Sequence, residues 1–480
     1  MGREFETVIG LEVHIELLTE TKMYCSCKNT FGKKENTVLC PVCAGYPGTL
    51  PAVNKRAVEL AVRAGLALKC DINRRFKMSR KNYFYPDLPK GYQISQFDAP
   101  IGENGFLEIK GKKYPIFDIH LEEDAGKLYG NGIDFNRCGI PLIELVTKPC
   151  FNSAAEAVDF LKELRLIMIY SGVSDCRIER GSMRCDVNVS VHRRGEPCGE
   201  RCELKNVSGF SNVYDGILYE EKRQKTLVKE GKCVFSETRR WDPMKKESVI
   251  LRSKEKTADY RYFDEPDFSE ITLSEDFIEE VFSVLPMLPN KKRLYYESLG
   301  IQTQAAEDIL IDPRKDRIFN KCVEMKLCGA KILSGLINGI AAEFLNVKSD
   351  YLNENNTDEF CLALCKIGRL REKGVISSTA VKLLFENHIA SGADIDMLLK
   401  ELKLEQVSDS DYIEDLVRRV LDENPKSAED YRKGKTNVLS FLVGRCMKLS
   451  EGKSDPVLCR EAILNSINDD SIQRGERNLK

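Results

Sequence analysis

Between Val8 and Leu17 the chain alternates apolar and polar positions with a period of two, the pattern of a strand with two unlike faces. Leu11, Val13, Ile15 and Leu17 share one face, and Gly10, Glu12, His14 and Glu16 share the other. Same-face neighbours on a strand lie roughly 7 Å apart, so this acid–histidine–acid row can converge on one cation or wall a polar cavity. Taken alone, the stretch fits an edge strand with a solvated face equally well. The theme recurs, however. Ile116–Asp124 predicts a strand with Asp118, His120, Glu122 and Asp124 on one face and Phe117, Ile119 and Leu121 on the other, with Glu123 within reach where the strand ends. Arg184–His192 sets Asp186, Asn188 and Ser190 opposite Val187, Val189 and Val191, and Arg201–Val207 reads as the other arm of a hairpin, with Arg201, Glu203 and Lys205 on one face. Three separated strands with carboxylates beside His or Asn argue for one sheet lining one cavity.

Helical periodicity marks the rest of the chain. A helix capped by Asn54 runs to about Leu68, and an amphipathic helix spans Glu156–Ser171. From about Pro286 alternation gives way to helical stripes, such as Leu333, Leu336, Ile337, Ile340 and Leu345. Lys348–Thr357 is a polar linker. Further helices are expected over Asp411–Leu421, after a Ser-Asp cap, over about Lys435–Leu449, and from Asp455-Pro456 onward.

The 480 residues suffice for two to four domains. A net charge of −2 removes any global nucleic-acid signature, so an RNA-binding surface must be a local patch. The tail Asn424–Lys480 carries eleven Lys or Arg against eight Asp or Glu, a weak patch of that kind. No signal peptide opens the chain, and no apolar run approaches the ~20 residues of a membrane span. The eighteen cysteines therefore suggest a reducing cytoplasm, with thiols or metal ligands rather than disulfides.

Two stretches add chemistry. Cys25-Ser-Cys27 and Cys40-Pro-Val-Cys43 give a CxC…CxxC set suited to a tetrahedral zinc ion. No histidine or carboxylate flanks it as a base, so the zinc is expected to be structural. Arg74–Gln93 interleaves six Lys or Arg with Phe76, Tyr83, Phe84, Tyr85 and Tyr92, a composition suited to phosphates plus a stackable base or a nucleic-acid end. Clustered carboxylates repel one another and call for a cation, here Mg²⁺ given the oxygen-rich set. Together these features point to phosphoryl transfer. The nucleotide site is not a P-loop: Gly434-Lys435-Thr436 has Glu429 where that motif needs its first glycine.

The motifs ETVIGLEVHIEL (Glu6–Leu17), CPVCAGYPGTLPAVN (Cys40–Asn54), RKNYFYPDLPKGYQISQ (Arg80–Gln96), HLEEDAGK (His120–Lys127), DFNRCGIPLIELVTKP (Asp134–Pro149), RCDVNVSV (Arg184–Val191), DYRYF (Asp259–Phe263) and the tail stretch Asn424–Lys448 closely resemble the B subunit of glutamyl/aspartyl-tRNA amidotransferases, over essentially the whole chain. The resemblance implies an α+β protein. It would have a cradle-like catalytic domain with an antiparallel sheet (1–292, with the four-cysteine zinc loop at 25–43), an all-α domain (293–405) and a small tRNA-binding helical tail (406–480). It also implies the reaction. ATP phosphorylates the side-chain carboxylate of Glu-tRNA(Gln) or Asp-tRNA(Asn), and ammonia then displaces the phosphate. No glutaminase signature is visible in the chain. This fits a family in which a separate amidase subunit supplies ammonia and a small third subunit clasps the pair in a heterotrimer. By matching positions, Glu12, His14, Glu123 and Asp186 are the expected Mg²⁺ ligands, with Glu122 the alternative to Glu123. Lys81 and Tyr83 are assigned to the ATP phosphates and the aminoacyl end, Glu203 and Lys205 to the cavity wall, and Cys25, Cys27, Cys40 and Cys43 to zinc. His120 would stand behind the ligands, and His192 and His388 would be structural or surface residues. The alternative is a non-catalytic, zinc-stabilised tRNA-binding scaffold subunit, which the intact acids on all three strands disfavour.

Overall fold

The computed structural model describes residues 4–253, 260–348, 351–353, 356–406, 410–450 and 453–477. Asp259 of the DYRYF stretch, parts of the 348–357 linker, and the Ser408-Asp409 cap lie outside these residues. The chain divides into two compact units, 1–291 and 292–480. The first is built on a sheet and the second is helical, so the fold class is α+β.

The sheet is assembled around β1 (Phe5–Glu16). Its long partners are β2 (Lys112–Glu123), β3 (Pro141–Thr147), β4 (Met183–Arg193), β5 (Cys202–Val207), β6 (Glu237–Asp242) and β7 (Glu247–Ser253). They lie in the order β7-β6-β5-β4-β1-β3-β2, with shorter strands beyond β2. All of these pairs are antiparallel except β5 with β6. One face of β1 places Ile9, Leu11, Val13 and Ile15 at 0–1% exposure in the main core. Each contributes on the order of 1.5–3 kcal/mol by burial. Helices α1 (Lys55–Ala67), α2 (Ala154–Tyr170) and α3 (Phe210–Lys229) supply the other half of that core through residues such as Leu60, Phe160 and Ile217. Asn54 caps α1 by accepting from the backbone N–H groups of Arg56 and Ala57, as its position predicts. The opposite face of the sheet carries the polar row.

Two expectations change. The register of β2 against β3 slips between Val146 and Thr147. This bulge leaves Phe117 unpaired and 56% exposed, while Ile116 and Ile119 both point into the core. Phe117 therefore does not share a face with Ile119 and Leu121. Strand β2 also ends at Glu123, so Asp124 leaves the row and is buried between Arg137 and Arg184. Strands β6 and β7 are not foreseen from the sequence, because their alternation is masked by charged residues.

The basic, aromatic stretch forms a short hairpin of Ser79–Asn82 against Tyr92–Ser95. The hairpin docks on β2: Leu121 N donates to Gln96 Oε1 at 2.8 Å, and Gln93 Nε2 donates to the Glu123 carbonyl at 2.8 Å. Phe263–Asp264 adds a third strand to it.

In the second unit, helices Ser410–Glu423, Val438–Leu449 and Pro456–Arg477 close a core of their own around Val417, Leu442, Cys446 and Ile463. Asp455 caps the last of them, accepting from Val457 N at 2.7 Å. No helix among the described residues is long and apolar enough to cross a membrane.

Candidate active site

Strand register alone brings the acids together. On β1, Glu12 lies opposite Asp186 of β4. His14 lies opposite Arg184 on that side and opposite Glu144 of β3 on the other. Glu144 in turn faces His120 of β2. The side chains gather into two groups, in each of which the ligand atoms lie within 4.8 Å of one another: His14 with Glu122 and Glu144, and Glu12 with Asp186 and Glu203. His14 Nε2 is 3.4 Å from Glu122 Oε1 and 3.5 Å from Glu144 Oε2. The two groups adjoin, because Glu12 and His14 are same-face neighbours on β1.

Of the residues expected in the site, Glu12, His14, Asp186, Glu203 and Glu122 are brought together. Glu123 is not. Its carboxylate turns to the hairpin, where it pairs with Lys90 and accepts from Ile94 N at 3.0 Å. Of the two neighbouring acids, then, Glu122 is the one that stands beside His14. Glu144 was missed. Its one signal was a single acid in the middle of the apolar run PLIELVT, which a buried strand does not carry without a partner. His120 stands behind it, Nε2 3.0 Å from Glu144 Oε2. His192 sits elsewhere, beside Glu6, and His388 is buried in the helical unit, its Nδ1 2.8 Å from the Ala393 carbonyl.

Two lysines close over the acids. Lys205 Nζ bridges Asp186 Oδ2 at 2.8 Å and Glu203 Oε1 at 2.9 Å. Lys81 extends from the hairpin and lies 5.3 Å from the centre of the Tyr260 ring, with Tyr83 edge-on to the same ring. Burial opposes the Lys81 charge, but Glu122 and Glu144 outweigh it and hold the ammonium above its ordinary value. Lys205 is raised in the same way by Asp186 and Glu203 against burial. Burial, then Glu144, pushes the Glu12 carboxyl up, against the Asn188 amide that donates to it at 2.9 Å. The arrangement is a low-dielectric acid cluster, partly neutralised, whose two groups of ligand atoms are each close enough together to share one cation. Glu122 Oε2, buried and without a hydrogen-bond partner among the described residues, is an acceptor that such a cation would satisfy.

The histidines give the metal-free site a pH signature. Burial disfavours protonation of His120, but Glu144 and Asp118 outweigh it and raise its pKa to about 10. His14 moves in the same direction, driven by Glu144 and Glu122. A pKa raised on folding contributes stability that is complete below the unfolded value of about 6.5 and is lost as pH climbs through the folded value. The chelated protein should therefore lose stability between about pH 6.5 and 10. Thermal melts across that range should show a shallower decline for His120→Asn; a decline identical to that of the parent would contradict the pairing.

On the far side of Glu123, the sulfurs of Cys25, Cys27, Cys40 and Cys43 form a third group within 4.8 Å. Cys40 N donates to Cys43 Sγ at 3.3 Å, and Lys22 Nζ lies 3.7 Å from the same sulfur. The Cys25 thiol, first, and these donors hold the Cys43 thiol below its ordinary value in spite of burial. The set suits a closed structural metal site. A cavity of about 240 Å³ separates it from Lys90 and Glu123. Gly45 lines that cavity with φ +72°, and a Cβ there would meet Lys90 Cγ at 2.7 Å.

Residues 7–279 match the family described as the GatB/GatE catalytic domain, and residues 318–467 match the GatB domain. The chain is 42% identical over 471 residues to the aspartyl/glutamyl-tRNA(Asn/Gln) amidotransferase B subunit of Thermoanaerobacter pseudethanolicus, covering 96% of this chain and 98% of that protein. It is 43% identical to the protein of the same name from Caldanaerobacter subterraneus, over 96% of this chain and 98% of the other. For that of Bacillus licheniformis the figures are 42% identity, 97% and 99%.

Proposed function

The chain belongs to the B subunits of the aspartyl/glutamyl-tRNA(Asn/Gln) amidotransferases, and on that premise we propose that it is the ATP-dependent synthetic subunit of such a complex. A side-chain carboxylate at pH 7 is a poor electrophile with no usable leaving group. Phosphorylation of misacylated Glu-tRNA(Gln) or Asp-tRNA(Asn) supplies one: a carboxylate oxygen bonds to the γ-phosphorus as the bond to ADP breaks. Ammonia then attacks the acyl carbon and phosphate departs.

The observation that carries this reading is the polar face of the sheet, where six potential ligands converge in two groups beneath Lys81 and Lys205. Glu12, Asp186, Glu203, His14, Glu122 and Glu144 would hold Mg²⁺. A Mg²⁺ ion there supplies the charge offset needed when carboxylate and γ-phosphate approach each other. Lys81, half-buried, carries a positive charge to the same place, and Tyr83 and Tyr260 beside it offer flat surfaces for the aminoacyl end. Cys25, Cys27, Cys40 and Cys43 would hold a structural zinc ion. Ammonia would come from glutamine through a partner amidase subunit, with a small clasp subunit completing a heterotrimer. Eighteen free cysteines support a reducing, cytoplasmic setting.

The test is co-expression with candidate amidase and clasp subunits, followed by an assay of ATP- and glutamine-dependent conversion of Glu-tRNA(Gln) and Asp-tRNA(Asn). Conversion of either is the expected result. An assembled trimer that binds tRNA tightly and converts neither would favour a scaffold role.

A further inference from the structure

Arg184 stands on the polar face of the sheet, directly across from His14 and two residues from Asp186 on the same strand. His14 belongs to one acid group and Asp186 to the other, so Arg184 borders both. Its neighbours differ from it in one respect. Lys205 is shared between Asp186 and Glu203, and Lys81 faces Glu122 and Glu144. Arg184 instead is anchored from behind: its Nη2 donates to Asp124 Oδ1 at 2.8 Å. Asp124 is itself fixed, because its other oxygen accepts from Arg137 Nε at 2.8 Å, and the Arg137 guanidinium is 3.5 Å from Glu16. One nitrogen is thus pinned to a buried carboxylate while the side chain stays 43% exposed. Among the described residues, Asp124 is the hydrogen-bonding partner of Arg184, and Nε and Nη1 have no protein acceptor.

An arginine so placed is a pre-oriented oxyanion clamp. The guanidinium is a planar fork with a fixed charge, suited to two oxygens of one phosphoryl or carboxylate group. In phosphoryl transfer negative charge is spread over three equatorial oxygens, and a fixed guanidinium is well suited to stabilise it. A solvated surface arginine would need no buried anchor, and a purely structural one would spend its donors on the protein.

We propose that Arg184 contacts the phosphoryl group during its transfer from ATP to the side-chain carboxylate, held in place by Asp124. This rests on the synthetic-subunit reading above. The residue's task is to stabilise the charge on the equatorial oxygens while the bond to the carboxylate oxygen forms and the ADP oxygen leaves with its electron pair. Asp124 acts through Arg184 and is a positioning residue.

The experiment uses the assembled heterotrimer and follows tRNA-dependent ADP formation, with ATP affinity measured separately by equilibrium dialysis. Arg184→Ala should lower kcat by on the order of 10²–10³-fold while the Kd for ATP changes by less than about tenfold. Added guanidinium ion should restore part of the activity to Arg184→Ala and none to a control variant, Asp186→Ala. Asp124→Asn should show a smaller loss in kcat without rescue. Wild-type turnover with an Arg184→Ala variant within threefold of it would overturn the assignment and leave the synthetic-subunit reading intact. Loss of activity without guanidinium rescue, accompanied by an equal loss of ATP affinity or thermal stability, would also overturn it, in favour of a structural role. A wild-type trimer that makes no ADP would instead overturn the synthetic-subunit reading, and the Arg184 assignment with it.

Discussion

Replacing Asp186 by alanine should abolish ATP-dependent amidation, with a loss on the order of 10³-fold in kcat/KM, and leave the glutaminase activity of the assembled complex in place. The expectation follows from charge. Asp186 is one of three carboxylates whose oxygens lie within 4.8 Å of one another, and it shares Lys205 with Glu203. Without it the site loses a ligand oxygen, and Lys205 retracts toward Glu203 over the space a cation would occupy. The fold should tolerate the change, because the flanking Val187 and the rest of the apolar face of β4 stay packed in the core. Melting temperature should therefore move by only a few degrees, so a functional loss is separable from misfolding. Glu12→Gln is the matching variant across the strand pair. It keeps the shape and the contact to Asn188 but removes the charge, and should raise the Mg²⁺ concentration needed for half-maximal turnover. Normal amidation by Asp186→Ala would remove this carboxylate group from the chemistry.

How much of this was legible beforehand depended on periodicity. Glu12, His14, Glu122 and Asp186 sit on alternating strands, where a two-residue period assigns the face directly, and the sheet does place them on one surface. Glu144 was not legible in this way. Its strand is apolar on both sides, so the alternation vanishes, and only the pairing opposite His14 and His120 reveals its place among the acids. The choice between Glu122 and Glu123 has a different origin. Alternation puts Glu122 on the polar face, whereas the family match favours Glu123, and the hairpin turns Glu123 away from the acids through Ile94 and Lys90. Phe117 shows the opposite failure, a regular pattern interrupted by a bulge that no residue type announces. Arg184 was not legible either, because an arginine among acids resembles an ordinary surface ion pair until its anchor, Asp124, is seen to be buried.

Substituting Cys43 by serine should abolish binding of the proposed zinc ion and lower the melting temperature by on the order of 10 °C. The loop from Cys25 to Cys43 contains no helix or strand; it leaves Phe31 62% exposed and Val38, Leu39 and Val42 only half-buried, so it has no core to hold it. Its position rests on the four sulfurs and on Lys22, which is 1% exposed. Lys22 Nζ donates to the Val38 carbonyl at 2.9 Å and faces Cys43 Sγ at 3.7 Å. A zinc tetrathiolate would carry two negative charges, and Lys22 would offset one of them. Serine at 43 removes a ligand and also strips a buried ammonium of its anionic partner, a change worth about 3–5 kcal/mol. The loop in turn braces the chain entering β3: Val38 N donates to Asn136 Oδ1 at 2.8 Å, and Asn36 Nδ2 donates to the Ile133 carbonyl at 2.9 Å. Because β3 carries Glu144, amidation should weaken as well, though by far less than in Asp186→Ala. A strong chelator should lower the melting temperature of the parent to that of Cys43→Ser and leave the variant unchanged. Lys22→Met should keep more zinc than Cys43→Ser, since all four sulfurs survive in it. An unchanged metal content in Cys43→Ser, by elemental analysis, would show that the cysteines are a reduced cluster and that the loop is held by its hydrogen bonds alone.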